Sequence, residues 1–128
     1  MKNIRKLHAA GVPIIAGTDS PYPGVYYGEG LHRELELLVE AGLTPLEAIS
    51  AATRNAAVFM RDTTWGTIEP GRRADLLLVN GRPHERIGDA RRISAVMQAG
   101  RMLPRSQLTF AAQHNMKFRA TGSALSTK

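Results

Sequence analysis

The sequence predicts an α/β fold that does not close on itself. Three observations carry this. Residues 2–10 have helical periodicity, with Ile4, Leu7 and His8 to one side, and Gly11 follows as a helix stop. The apolar run Val12-Pro13-Ile14-Ile15-Ala16 comes after almost no loop, an αβ connection that implies a parallel sheet. Beyond Asp62 the pattern changes to short apolar runs separated by turns. The three or four strands those runs allow can hardly close a sandwich alone, so further strands are implied.

Taken in order, the predicted strand over residues 12–17 leads into Gly17-Thr18-Asp19-Ser20. That places one carboxylate at a strand's C-terminal edge, where barrel and α/β enzymes keep their chemistry. Residues 21–28 are rich in Pro, Gly and Tyr and read as a loop. Residues 29–41 form an amphipathic helix. Leu31, Leu35, Leu38 and Val39 make its buried stripe, Glu29 and Arg33 sit one turn apart in the favourable order, and Gly42 ends it.

Thr44-Pro45-Leu46-Glu47 then combines three helix-start signals. Thr44 can cap, Pro45 suits the first helical position, and Glu47 completes a capping box. The helix is expected to carry Leu46, Ile49, Ala52, Ala56 and Phe59 inward, with a break at Thr53 or Asn55 and a second short helix over 55–61. Trp65 to Ile68 reads as a strand with Trp65 in a core, Glu69-Pro70-Gly71 as a turn, and Leu76 to Val79 as a short apolar strand. Ile93 to Met97 and Arg101 to Leu103, joined around Ala99-Gly100, read as a hairpin. The chain from Arg105 is poor in bulky apolar residues and reads as a frayed helix followed by a flexible basic tail.

Composition narrows the function classes. An apolar share of 43% suffices for a core, but no segment approaches the roughly 20 apolar residues of a membrane span. The basic start Met1-Lys2-Asn3-Ile4-Arg5-Lys6 lacks the apolar stretch of a secretory signal. No cysteine is present, which removes disulfides and thiolate ligands and fits a cytoplasmic setting. The net charge of +6 is uneven: residues 1–80 hold eight Lys and Arg against nine acids, residues 81–128 nine against two. A basic C-terminal third raises nucleic-acid binding as a rival class. Only Phe110 and Phe118 lie among its bases, too few aromatics for base stacking, so scattered solvated charge is the preferred reading.

The order of motifs is more specific than any one of them. Gly17-Thr18-Asp19-Ser20 is followed by Leu31-His32-Arg33-Glu34-Leu35-Glu36-Leu37-Leu38-Val39-Glu40-Ala41-Gly42-Leu43-Thr44-Pro45-Leu46-Glu47-Ala48-Ile49. Then come Ala51-Ala52-Thr53-Arg54-Asn55-Ala56-Ala57 and Gly66-Thr67-Ile68-Glu69-Pro70-Gly71-Arg72-Arg73-Ala74-Asp75-Leu76-Leu77-Leu78-Val79. Over residues 2–103 this closely resembles the C-terminal end of the amidohydrolase superfamily, nearest its imidazolonepropionase and metal-dependent Xaa-Pro dipeptidase branch.

The resemblance implies the last βα unit of a TIM-like (β/α)8 barrel plus the C-terminal strands of a small β-sandwich. Residues 1–61 would be the C-terminal end of the barrel, with 12–19 as its eighth strand. Residues 62–103 would be part of a composite β-sandwich domain, and 104–128 the tail. The implied chemistry is metal-assisted hydrolysis of a C–N bond in a small molecule, commonly a cyclic amide or a dipeptide, with one or two divalent ions, zinc first. Asp19 falls on the family's eighth-strand aspartate, which touches the metal or its water and relays a proton to the leaving nitrogen. His32 becomes a substrate-binding candidate at the start of the helix after the site loop.

The chain departs from the family in its ligands. The family uses a His-x-His pair, further histidines and often a lysine on earlier strands. The histidines here are His8, His32, His84 and His114, none in that spacing and none on a predicted barrel strand. The expectation is therefore a piece of a larger fold, by truncation or as a remnant, inactive as an isolated chain because one carboxylate cannot hold a catalytic ion. Its alternatives are a non-catalytic interaction module that associates through open sheet edges, and the small basic nucleic-acid binder.

Bland readings stand beside each candidate. Asp19 can be a turn aspartate and His32 a surface residue. Thr18 and Ser20 can orient the aspartate or satisfy backbone. Tyr22, Tyr26 and Tyr27 can line a pocket mouth or lie exposed. Asp75 reads as a structural turn residue, and Arg72, Arg73, Arg91 and Arg92 as solvated turn charges.

Overall fold

The computed structural model describes residues 2–21, 23 and 25–104, the last by its backbone alone. The expected tail over 104–128, with His114, Phe110 and Phe118, lies otherwise outside the described residues, as does Tyr22. Helix α1 spans Lys2–Ala9, α2 Glu29–Glu40, α3 Pro45–Ala52 and α4 Arg54–Phe59. Strand β1 spans Leu76–Val79, a 3₁₀ helix Ile87–Arg91, β2 Ile93–Gln98 and β3 Arg101–Pro104.

The local signals act as expected in the helices. Gly11 takes a φ of 76° behind α1, which only glycine adopts freely. At the start of α3 the Thr44 hydroxyl accepts the Glu47 N–H at 3.3 Å, and the Glu47 carboxylate accepts the Thr44 N–H at 2.7 Å. These two bonds satisfy donors the helix cannot satisfy itself. Thr53 separates α3 from α4, near the expected break. The C-terminal end of α2 has no basic residue of its own in the last turn. Arg5 from α1 supplies the charge, donating to the Ala41 carbonyl at 3.1 Å and the Glu40 carbonyl at 3.4 Å.

The core is small. Leu35 and Leu38 of α2 meet Leu43 and the fully covered Ala48 and Ala51 of α3. Ile4, Ile14, Ala16, Val39 and Ile87 close in around them. Alanines let α2 and α3 approach closely, and that phase turns larger neighbours outward. Leu46 is 60% exposed and Phe59 70%, against the expectation that both face inward.

The sheet is antiparallel in the order β1-β2-β3. Leu76 sits opposite Met97 and Gln98 opposite Arg101, with a bulge between Leu78 and Val79. Ala99 and Gly100 turn the hairpin at φ values of 47° and 80°, the mirror-type turn that suits twisted strands. Asp75 is structural, as expected: its carboxylate accepts the Ala99 N–H at 2.7 Å and pairs with Arg73.

Two expected strands are absent. Residues 12–17 join no ladder; the sheet of the described residues lies wholly within 76–104. The segment is held from its helix side instead, by Ala16 N–H to the Ala51 carbonyl at 3.1 Å and Asn55 Nδ2 to the Ile14 carbonyl at 2.9 Å. An apolar run becomes a strand only where a neighbouring backbone pairs with it. Trp65 to Ile68 is likewise a run of bends, and Ile68 is 87% exposed. Asp62 bends the chain there by accepting both the N–H and the hydroxyl of Thr64. Trp65 is half-buried rather than in a sheet core.

Candidate functional site

Helix α2 is the platform of the site. Leu35 and Leu38 anchor it to α3, whereas Leu31, expected in the same buried stripe, is 41% exposed; the first turns of α2 thus stand beside residues 17–20. There the Glu34 carboxylate accepts the Gly17 N–H at 2.7 Å. The Thr18 hydroxyl donates to that of Ser20 at 3.1 Å, across Asp19. Asp19 itself has a φ of 50°, a left-handed conformation that aspartate tolerates better than most residues. Its side chain is exposed, and among the described residues its carboxylate has no hydrogen-bond or ion-pair partner. The Ser20–Pro21 peptide is cis.

A cavity of about 510 Å³ opens against this segment. Ile4, Val25, Leu37 and Leu38 give it an apolar floor, and Gly17, Thr18, Tyr26, Glu29 and Glu34 supply polar edges. Asp19 stands one residue beyond that lining. Tyr26 reaches the cavity while remaining 60% exposed, whereas Tyr27, 72% exposed, does not line it.

His32 belongs to a different cluster. Arg91 of the 3₁₀ helix donates from Nε to Glu36 at 2.7 Å and from Nη1 to Glu29, bridging two turns of α2. Arg33 extends the network to Glu36 at 3.3 Å and Glu40 at 2.9 Å. His32 lies on the helix face between Glu29 and Glu36, and its Nδ1 is buried with no hydrogen-bond partner among the described residues. Burial, then the positive charge of Arg91, lowers its pKa below the ordinary value, while Glu29 and Glu36 partly oppose this. The hydrogen bond from Arg91 holds the Glu36 carboxyl below its usual range. Sequence reasoning treated Arg91 as a solvated charge. Its partners lie 55 and 62 positions away, a separation no local pattern reveals.

The structure therefore does not bring Asp19 and His32 together. Asp19 ends the loop beside the cavity; His32 sits under an ion cluster and does not line that cavity. The described residues also do not fit a catalytic divalent ion by themselves. Asp19 is one carboxylate, and among the described residues no three His, Cys, Asp or Glu side chains converge on a common point. Of the basic residues after position 80 in the described part, Arg82 pairs with Glu85, Arg86 and Arg92 with Asp89, and Arg91 with Glu29 and Glu36. No described helix is long and apolar enough to cross a membrane.

Comparison with known proteins adds the wider frame. Residues 1–113 match the amidohydrolase family. The imidazolonepropionase of Pyrobaculum arsenaticum is 44% identical over 77 residues, 59% of this chain and 19% of the relative. Among solved structures, a putative prolidase from Bifidobacterium longum superposes with a TM-score of 0.73 at 37% identity, covering 78% of this chain and 25% of the other. A Xaa-Pro dipeptidase with methionine bound in its active site gives 0.71 at 34% identity, covering 80% and 25%. The chain thus spans about a fifth of the length of the curated relatives it matches and about a quarter of the solved chains.

Proposed function

The chain belongs to the amidohydrolase family, and from that premise we propose that it supplies the C-terminal part of a metal-dependent hydrolase of C–N bonds in small molecules. The observation that carries the reading is Asp19: a carboxylate with no hydrogen-bond or ion-pair partner among the described residues, exposed on a left-handed turn beside a cavity. A turn aspartate would ordinarily spend its oxygens on nearby backbone N–H groups. With no such bond among the described residues, this one is placed to accept a proton from water or to give one to a leaving nitrogen.

In this reading residues 12–19 act as a barrel strand once neighbouring strands are present, and residues 62–103 complete a β-sandwich. Cyclic amides and dipeptides are the substrate classes, by likeness to the imidazolonepropionase and the dipeptidase. A divalent ion, zinc first, would supply Lewis acidity and an activated water in the whole assembly. The donor set of the described residues does not hold it, so in this reading the other ligands come from outside those residues. The substrate-binding role expected for His32 draws no support from this cavity, whose lining does not include it.

Two measurements test the proposal. Calorimetric titration of the chain with zinc should show no stoichiometric site; one tight equivalent would overturn the incomplete-site reading. The chain should then be mixed with the putative prolidase from Bifidobacterium longum lacking the quarter of its chain that superposes on this one. Hydrolysis of Xaa-Pro dipeptides should appear, and Asp19→Asn should lower kcat by about 10²–10⁴-fold, the usual worth of a positioned proton acceptor. Equal turnover by the Asp19→Asn mixture would sink the role given to Asp19.

A further inference from the structure

The loop that presents Asp19 has no ladder to hold it, yet it follows a defined path. Two features of α2 account for that path. The Glu34 carboxylate takes the Gly17 N–H at 2.7 Å, a charge-assisted bond across 17 positions. One turn earlier, Gly30 presents bare backbone to the loop. A Cβ there would stand 2.8 Å from Val25 Cγ1, 3.1 Å from the Ser20 hydroxyl and 3.5 Å from Thr18 Cβ. Gly30 and Glu34 are four apart, so they share one helix face, and both line the cavity.

We infer that Glu34, with the space left by Gly30, is a positioning residue that fixes the Asp19 loop against α2. Glu34 anchors the loop two residues before Asp19. Gly30 seats it one residue to either side, at Thr18 and Ser20. Between these points the backbone must turn, and Asp19 takes the left-handed conformation that sends its carboxylate outward. The other α2 carboxylates described above, Glu29, Glu36 and Glu40, are bonded to arginines; Glu34 alone among them is spent on loop backbone. The inference rests on the functional reading only for its catalytic consequence; the anchoring itself is a property of the free chain.

The test is nuclear magnetic resonance on the full chain, which needs no activity. Glu34→Ala should speed Gly17 amide exchange about tenfold or more and shift the Thr18, Asp19 and Ser20 resonances, leaving those of β1–β3 in place. Glu34→Gln keeps an acceptor oxygen and should restore much of the Gly17 protection. Gly30→Ala should move the same loop resonances by displacing Val25 and Ser20. Unchanged Gly17 exchange in Glu34→Ala would overturn the inference. So would equal loss of protection at Leu35 and Leu38, which would make Glu34 a general stabiliser of α2. Loop order that depends on Glu34 while Asp19→Asn stays fully active would leave the anchoring intact and remove only the catalytic role.

Discussion

His32 shows how a residue's surroundings set its chemistry. Its Nδ1 is buried and has no partner among the described residues, and it feels the charges of Arg91 from the 3₁₀ helix and of Glu29 and Glu36 from its own helix. The net effect lowers its pKa, so the folded chain resists a proton that the unfolded chain accepts at its ordinary value of 6.5. Stability is then complete above that value and declines as pH falls below it. Thermal unfolding followed from about pH 7 to about pH 5.5 should show a falling midpoint, and His32→Leu should flatten the slope. A slope that survives the substitution would assign it to another group. The Glu36 carboxyl, held low by Arg91, loses its contribution only in more acidic solution.

Among elements, α3 and its junction with α2 hold the buried core cluster. The capping box closes the N-terminus of α3, and Thr44→Ala should cost about 1 kcal/mol in urea unfolding. Leu38 is 4% exposed at the centre of the core, and Leu38→Ala should cost about 2–5 kcal/mol, several times the loss of the cap. A smaller penalty at Leu38 than at Thr44 would mean that the α2–α3 contact is loose in solution. These elements were legible because their signals are local: Thr44, Pro45 and Glu47 lie within one turn. The Ala99-Gly100 hairpin was legible for the same reason. Residues 12–17 were not, because alternation and apolar content say nothing about whether a neighbouring strand is there to pair.

For the whole molecule, the apolar surface left open is the dominant fact. Val58, Phe59, Met60 and Ile68 are 66–87% exposed, and no side chain larger than alanine is fully covered among the described residues. Strands β1 and β3 are both sheet edges in the described structure. Surface of this kind favours association with further polypeptide or with a second copy. Sedimentation velocity should show mass rising with concentration, and the double variant Phe59→Ser, Ile68→Ser should reduce it. A strictly monomeric particle at high concentration would argue that these groups are tolerated in water.

Sequence alone determined the helices, the capping box of α3, the hairpin and the family, since each depends on short-range pattern or on motifs in fixed order. The tertiary structure decided which groups meet. It paired Arg91 with Glu29 and Glu36, set His32 apart from Asp19, and gave Glu34 the Gly17 N–H. Those contacts depend on how α2 packs against distant segments, and packing is a property of the folded whole that no local run of residues encodes.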